Sequence, residues 1–198
     1  MQMLTLAELI TRCSLVGAPE GAHVNDMLYR VVEATSRGDV YAVTDATTGE
    51  VHHSGDLERA SALVERLEGA GHDTRLGLAG VSLRDARTLG YTPAETFEPC
   101  TQIGIASAAL ERVLTPKARK STATLHIALA TYWSPRNHED LQAIEWGARV
   151  LSTPRVDVDE LDERASSGRA LEPQIYPAGS GIFFGAGRPK PRKWEALK

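Results

Sequence analysis

Residues 31–43 read VVEATSRGDVYAV and contain a change of hydrophobic pattern. Before Ser36, apolar residues recur every three or four positions, which is the spacing of one face of a helix. These residues are Val24, Met27, Leu28, Val31 and Val32. After the polar break at 36–39, residues 40–43 form a short apolar run typical of a strand. The stretch therefore predicts a helix that ends near Thr35 and is followed by β-structure.

The flanking sequence predicts a mainly helical domain with a small β-hairpin. Residues 40–43 and 50–52 surround a turn-rich segment, DATTG, and form the predicted hairpin. Residues 56–68 carry an apolar stripe at helical spacing, with Ser54 as the expected N-cap. Other helices are predicted at 5–11, 82–88, from 92, and at 100–114, 122–132 and 138–151. No element is assigned to the glycine-punctuated apolar segment at 76–81.

Composition sets limits on the class of protein. The chain has 198 residues, of which 42% are hydrophobic and 24% charged, as in ordinary soluble domains. The net charge of −4 argues against a nucleic-acid binder. No stretch of the sequence approaches the run of about 18 to 20 apolar residues that a membrane-spanning helix needs. The N-terminal residues have no basic region before an apolar run, so they are interpreted as a helix rather than a signal peptide.

The last part of the chain differs in composition from the rest. The predicted domain covers residues 1–152, and residues 153–198 form a tail rich in Gly, Pro and basic residues. One interpretation is a solvated, partly disordered tail. The other is a docking segment for another protein, with Ile182, Phe183 and Phe184 as anchors.

The two cysteines, Cys13 and Cys100, leave two possibilities open. They are either unrelated buried thiols or the ends of one disulfide that closes a long loop. The histidines lack the spacing of metal ligands, so no metal site and no cofactor are predicted.

Four blocks carry a resemblance to a known family. They are TLAELITRC at 5–13, the segment at 31–43, GHDTRLGLAGVS at 71–82 and LGYTPAETFEPC at 89–100. In order and spacing they resemble the lytic transglycosylases that accompany type IV secretion systems, a branch of the lysozyme-like superfamily. The resemblance covers about residues 3–152. It implies a lysozyme-like fold, a location in the periplasm or cell envelope, and a disulfide between Cys13 and Cys100, although the missing signal peptide leaves a cytoplasmic location open.

The resemblance also locates a missing catalytic group. Thr35 stands where the family has its glutamic acid, and Ser36 matches the serine that follows. A threonine hydroxyl cannot protonate a glycosidic oxygen near neutral pH, because that step needs a protonated carboxylic acid. Glu33 is the alternative acid and base, but two residues correspond to about 200° of helix rotation. Glu33 takes the catalytic position only if the alignment shifts by two residues.

The family's cleft residues are only partly retained. Gly77 matches the glycine of the third block, whereas Gly80 and Ser82 replace its glutamine and asparagine. Tyr132, in ALATYWSP at 128–135, matches the aromatic residue that faces the glutamate. The expected substrate-binding residues are therefore Ser36, Gly77, Gly80, Ser82 and Tyr132. Fewer of the polar side chains that cleavage needs are present than in the family.

Three functional hypotheses follow from the resemblance. The first is a degenerate component of a type IV secretion or conjugation system that binds peptidoglycan or a secretion partner without cleavage. The second is an active peptidoglycan lytic transglycosylase that uses Glu33. The third is a fold recruited as an effector, inhibitor or adaptor. Peptidoglycan glycan strands and secretion components are the expected partners, with no nucleic acid.

Overall fold

The computed structural model describes residues 6–14 and 22–154. The eight helices of these residues are α1 (Leu6–Cys13), α2 (Ala22–Thr35), α3 (Leu57–Gly69), α4 (Leu83–Thr88), α5 (Pro93–Thr96), α6 (Pro99–Val113), α7 (Thr122–Trp133) and α8 (Leu141–Ser152). A 3-10 turn at Ala118–Lys120 precedes α7. Ile182, Phe183 and Phe184, with the rest of the predicted tail from residue 155, lie outside the described residues. None of the helices in the described ranges is long and apolar enough to cross a membrane.

A small antiparallel sheet accompanies the helices. Its strands are β1 (Ala42–Asp45), β2 (Glu50–His53), β3 (Thr74–Leu76) and β4 (Val81–Ser82), in the order β2-β1-β3-β4. The predicted hairpin is confirmed as β1 and β2, in which Val43 pairs with His52. The predicted mainly helical α+β class is also confirmed. The strands β3 and β4 were not predicted, because they are too short to show alternation and every residue in them is buried.

The main core lies between the helices. Val24, Leu28, Val31 and Val32 of α2 are buried there, as their helical spacing predicted. They share this core with Ile103 and Leu110 of α6 and with Trp146 of α8. Helix α2 is therefore fixed by apolar burial along its length, and its last residue, Thr35, is held at a defined place.

The disulfide between Cys13 and Cys100 is confirmed. It joins the end of α1 to the first turn of α6, with the two Cα atoms 4.9 Å apart. Leu9 and Ile10 of α1 are buried in the main core together with Cys13. The bridge thus ties a short helix to the core that it helps to cover.

A tight turn after α2 leads the chain into β1. Arg37 and Gly38 both have positive φ, 54° and 82°. Ser36 stabilises the turn because its hydroxyl donates to the carbonyl oxygen of Leu78 at 2.8 Å and accepts from the backbone N–H of Gly38 at 3.1 Å. The change of pattern at Ser36 in the sequence is therefore a change from helix to strand.

Asp45 anchors the hairpin at the end of β1. Its carboxylate accepts hydrogen bonds from the backbone N–H of Thr47 at 2.9 Å, the hydroxyl of Thr48 at 2.9 Å and Nδ1 of His72 at 2.7 Å. Burial by itself raises the pKa of Asp45, but the hydrogen bonds from His72, Thr48 and Thr47 outweigh it and hold the pKa below its ordinary value. The ionised carboxylate is therefore the form that the fold stabilises.

This arrangement predicts an acid-sensitive part of the folding stability. Because the pKa of Asp45 is lower in the folded than in the unfolded chain, its contribution is present above pH about 4 and is lost as the pH falls further. We expect Asp45→Asn to cost about 1–2 kcal/mol at pH 6.5 and to flatten the decline of stability towards pH 3. Urea unfolding at the two pH values measures both effects. The exposed Glu58 gives the control variant Glu58→Gln, and a decline in Asp45→Asn as steep as in this control would contradict the prediction.

Candidate functional site

Thr35 lies at the edge of a pocket of about 310 Å³ between the hairpin and α8. Its side chain is buried, and its Oγ1 accepts a hydrogen bond from Nε1 of Trp146 at 3.2 Å. The pocket is lined by residues from α2, the hairpin and the last two helices. They are Thr35, Thr44, Thr48, Gly49, Val51, Trp133, Gln142, Glu145, Trp146 and Arg149.

One wall of the pocket is a single face of α8. Gln142, Glu145 and Arg149 follow each other at helical spacing, and Asp140 caps the helix by accepting from the backbone N–H of Gln142 at 3.3 Å. The Gln142 amide donates to the carbonyl oxygen of Thr47 at 3.3 Å and so joins α8 to the hairpin turn. The pocket is thus held between two elements that are distant in sequence.

Two of the pocket-lining residues, Trp133 and Trp146, belong to a stack of aromatic rings. The ring of Trp146 stacks on Trp133 at a centroid distance of 4.6 Å and on Tyr132 at 5.6 Å. The Tyr132 hydroxyl donates to the carbonyl oxygen of Ala79 at 2.8 Å, and burial raises its pKa, while the charge of Arg75 acts in the opposite direction. Tyr132 therefore remains a protonated hydrogen-bond donor whose role in this arrangement is to hold the aromatic cluster.

A buried cation lies against the same cluster. The guanidinium carbon of Arg75 is 4.6 Å from the centroid of the Trp133 ring, and Nη1 donates to the carbonyl oxygen of Gly80 at 3.3 Å. The buried Nε atom has no hydrogen-bond partner, and none of the ion pairs of the described residues includes Arg75. Burial lowers the pKa of Arg75, but an arginine stays charged in proteins. A cation in this position favours the ionised form of any carboxyl group nearby.

Gly80 lies so close to both Thr35 and Trp133 that little space remains for a side chain at this position. A Cβ atom on Gly80 would lie 3.0 Å from Cγ2 of Thr35 and 3.0 Å from the Trp133 ring, and the φ angle of 61° also favours glycine. A larger polar side chain at this position would have to displace one of the two neighbours. The indole of Trp133 therefore occupies the space next to Thr35.

The remaining predicted site residues are engaged within the fold. Ser36 is buried in the turn after α2, and Ser82 caps α4 by accepting from the backbone N–H of Asp85 at 3.4 Å. Gly77 has a φ of 67° and leaves room for the buried amide of Gln102. Gln102 donates to the carbonyl oxygen of Val40 at 3.0 Å and accepts from the N–H of Leu78 at 2.6 Å. Of the predicted site residues that the structure describes, only Thr35 is among those that line the pocket.

Glu33 occupies a different part of α2. It is not among the residues that line the pocket at Thr35. Burial raises the pKa of Tyr29, and the charge of Glu33 raises it further, which places Glu33 near Tyr29 one turn earlier on the helix. Two residues on a helix correspond to about 200° of rotation, so Glu33 and Thr35 point in nearly opposite directions.

The wall formed by α8 was missed in the sequence analysis. Its signal was present in the predicted helix at 138–151, where Gln142, Glu145 and Arg149 are spaced three and four residues apart. Such spacing is also usual on a solvated helix face, so the sequence alone does not select it. Within the described ranges, no group of three or more His, Cys, Asp or Glu side chains is arranged to hold a metal ion.

A second depression lies away from this site. It has a volume of about 390 Å³ and is lined by Arg30 of α2, by Thr122 and Leu125 of α7, and by residues 151–154 at and after the end of α8. The Arg30 guanidinium donates to the carbonyl oxygens of Leu151 and Thr153. Arg30 therefore joins the end of α8 to α2. None of the predicted site residues within the described ranges lines this second depression.

Comparison with known proteins relates part of the chain to virB1. Over 81 residues, 40% of the chain, it is 35% identical to protein virB1 of Agrobacterium fabrum (strain C58 / ATCC 33970). The chain is related to virB1 over this segment. It is also 31% identical to protein virB1 of Rhizobium radiobacter over 80 residues. The chain spans about a third of the length of these curated relatives (33% and 34%), and no protein-family model and no solved structure matches it.

Proposed function

We propose that this chain is a degenerate, lysozyme-like relative of the lytic transglycosylases of type IV secretion or conjugation systems, and that it binds peptidoglycan glycan strands without cleaving them. The observation that carries the proposal is the pocket at Thr35. Its lining combines two largely buried indoles with threonine hydroxyls and the Gln142 amide, and a mainly apolar and aromatic lining with a few polar groups is typical of sites for small polar ligands such as sugars. The similarity to virB1 supports the relationship to the secretion apparatus.

The surroundings of Thr35 support loss of cleavage. Cleavage of a glycosidic bond by a single residue needs a carboxylic acid kept protonated beside the bond. Position 35 instead carries a hydroxyl that accepts from Trp146, next to a cluster that contains the buried charge of Arg75. Binding can persist without catalysis, because shape and apolar contacts do not depend on the acid.

The disulfide and the similarity to virB1 support a location in the periplasm or cell envelope. Disulfides persist in oxidising compartments and are rare in the cytosol. On this proposal, the unreduced protein from its native compartment has almost no free thiol at Cys13 and Cys100.

Purified sacculi provide the test of the proposed function. We expect the wild-type chain to sediment with sacculi and to release no anhydro-muropeptides, as measured by chromatography and mass spectrometry. The variants Glu33→Gln and Glu145→Gln should be equally inert, so they serve as controls for cleavage by either carboxylate. Release by the wild type that one of these variants abolishes would replace the proposal with an active enzyme, and would identify its acid.

The same assay separates the other hypotheses. A wild-type chain that neither sediments with sacculi nor releases fragments would support the effector, inhibitor or adaptor hypothesis. Thr35→Glu is expected to gain no measurable cleavage, because the acid would be placed in the buried cluster of Trp133, Gly80 and Arg75. A gain of cleavage by Thr35→Glu would mean that these neighbours do not prevent catalysis.

A further inference from the structure

Two opposite charges on the α8 wall have no partner among the described residues. Glu145 and Arg149 are exposed, line the pocket and stand four residues apart on the helix. An acidic residue four positions before a basic one is the favourable order for an ion pair on a helix. Nevertheless, the ion pairs of the described residues include neither side chain. Both charged groups are therefore available to a ligand in the pocket.

The rest of the pocket wall is neutral. The hairpin contributes Thr44, Thr48 and Val51, and the hydroxyl of Thr48 already donates to Asp45. The stacked aromatic rings contribute Trp133 and Trp146. Hydroxyl, amide and indole groups are sufficient to bind an uncharged sugar. A carboxylate and a guanidinium add the ability to bind an ammonium group and a carboxylate group, respectively.

We infer that this pocket recognises an amino-acid zwitterion, namely the peptide substituent carried by the glycan strand, and not bare glycan alone. The inference rests on the proposed function. In this arrangement the Glu145 carboxylate accepts from the ligand's ammonium group, and the planar Arg149 guanidinium donates to its carboxylate. Four helical residues correspond to a rise of about 6 Å, so two long side chains from adjacent turns can converge on one zwitterion.

Isothermal titration calorimetry on the full chain tests the inference. The probes are chitotetraose as a peptide-free glycan, a disaccharide tetrapeptide from peptidoglycan, and the free tetrapeptide. We expect the disaccharide tetrapeptide to bind about tenfold or more tightly than chitotetraose. This advantage should shrink in 0.5 M salt, because exposed charges are screened there.

Charge-neutral variants assign the effect to α8. Arg149→Gln and Glu145→Gln should each weaken binding of the disaccharide tetrapeptide by about tenfold and weaken chitotetraose binding much less. Arg112→Gln and Glu111→Gln are matched controls, because these side chains are exposed on α6 and do not line the pocket. The controls should bind all three probes like the wild type.

The outcomes separate the inference from the proposed function. Equal binding of chitotetraose and the disaccharide tetrapeptide, with no effect of the α8 variants, overturns the zwitterion site and leaves glycan binding intact. Binding of the free tetrapeptide that depends on Arg149 and Glu145, without chitotetraose binding, supports the zwitterion site and contradicts binding through the glycan. Failure of all three probes to bind overturns both.

Discussion

Replacement of Trp146 by alanine is expected to destabilise the protein by about 4 kcal/mol. Substitutions of this size in a packed core cost about 3–5 kcal/mol, because apolar contacts are lost and a cavity remains. Trp146 is 1% exposed, stacks on both Trp133 and Tyr132, and donates to the buried hydroxyl of Thr35. The substitution therefore removes packing and a hydrogen-bond donor at one position.

Urea unfolding followed by circular dichroism measures this effect. Trp146→Phe keeps an aromatic ring in the cluster but loses the N–H donor, so we expect an intermediate cost. Leu141→Ala, on the same helix and 67% exposed, is the matched control and should change stability by less than about 0.5 kcal/mol. A loss below about 1 kcal/mol for Trp146→Ala would show that the aromatic cluster is not the support of this pocket.

Removal of the disulfide is expected to cost about 4 kcal/mol. The bridge links residues separated by 87 positions, and closure of a loop of this length restricts the unfolded chain strongly in the loop-entropy account. The double variant Cys13→Ser/Cys100→Ser removes the bridge without leaving a free thiol. For a protein of this size, the loss corresponds to a decrease of about 10 °C in Tm.

Thermal unfolding with and without a reductant tests the bridge directly. The wild type should lose stability on reduction, and the double variant should be unaffected by the reductant. Hydrogen exchange provides a local readout, because the amides of Leu9 and Ile10 in α1 should lose protection before those of α6. Equal Tm values for the oxidised wild type and the double variant would contradict the prediction.

The parts of the fold that were predictable are those with a strong local pattern. The apolar spacing in residues 24–32 predicted α2, and the turn-rich segment at 45–49 predicted the hairpin. The cap of α3 was wrong, because the backbone N–H of Arg59 is bound by Asp56 and not by Ser54. Both residues carry a suitable oxygen, and only the position at which the backbone becomes helical decides between them.

The site was predictable only in part, because its walls come from distant segments. Thr35 was singled out through the family resemblance of the segment at 31–43, but its hydrogen-bond partner Trp146 is 111 positions later in the chain. Arg75 was not singled out at all, although a charged residue within a buried strand is unusual. Such residues gain their role from tertiary contacts, which a pattern of neighbouring residues does not contain.

The bridge between Cys13 and Cys100 also restricts the order in which the chain can be oxidised and transported through a narrow pore. Once it closes, the two cysteines and the segment between them form a covalent ring, with the cysteines 87 positions apart, that cannot be drawn out into one linear strand. A chain that contains this ring would therefore not pass through a pore that admits only a single extended strand. If this protein passes through such a pore, Cys13 and Cys100 must both be on the same side of it when their sulfur atoms join, and oxidation after passage prevents the ring from moving back.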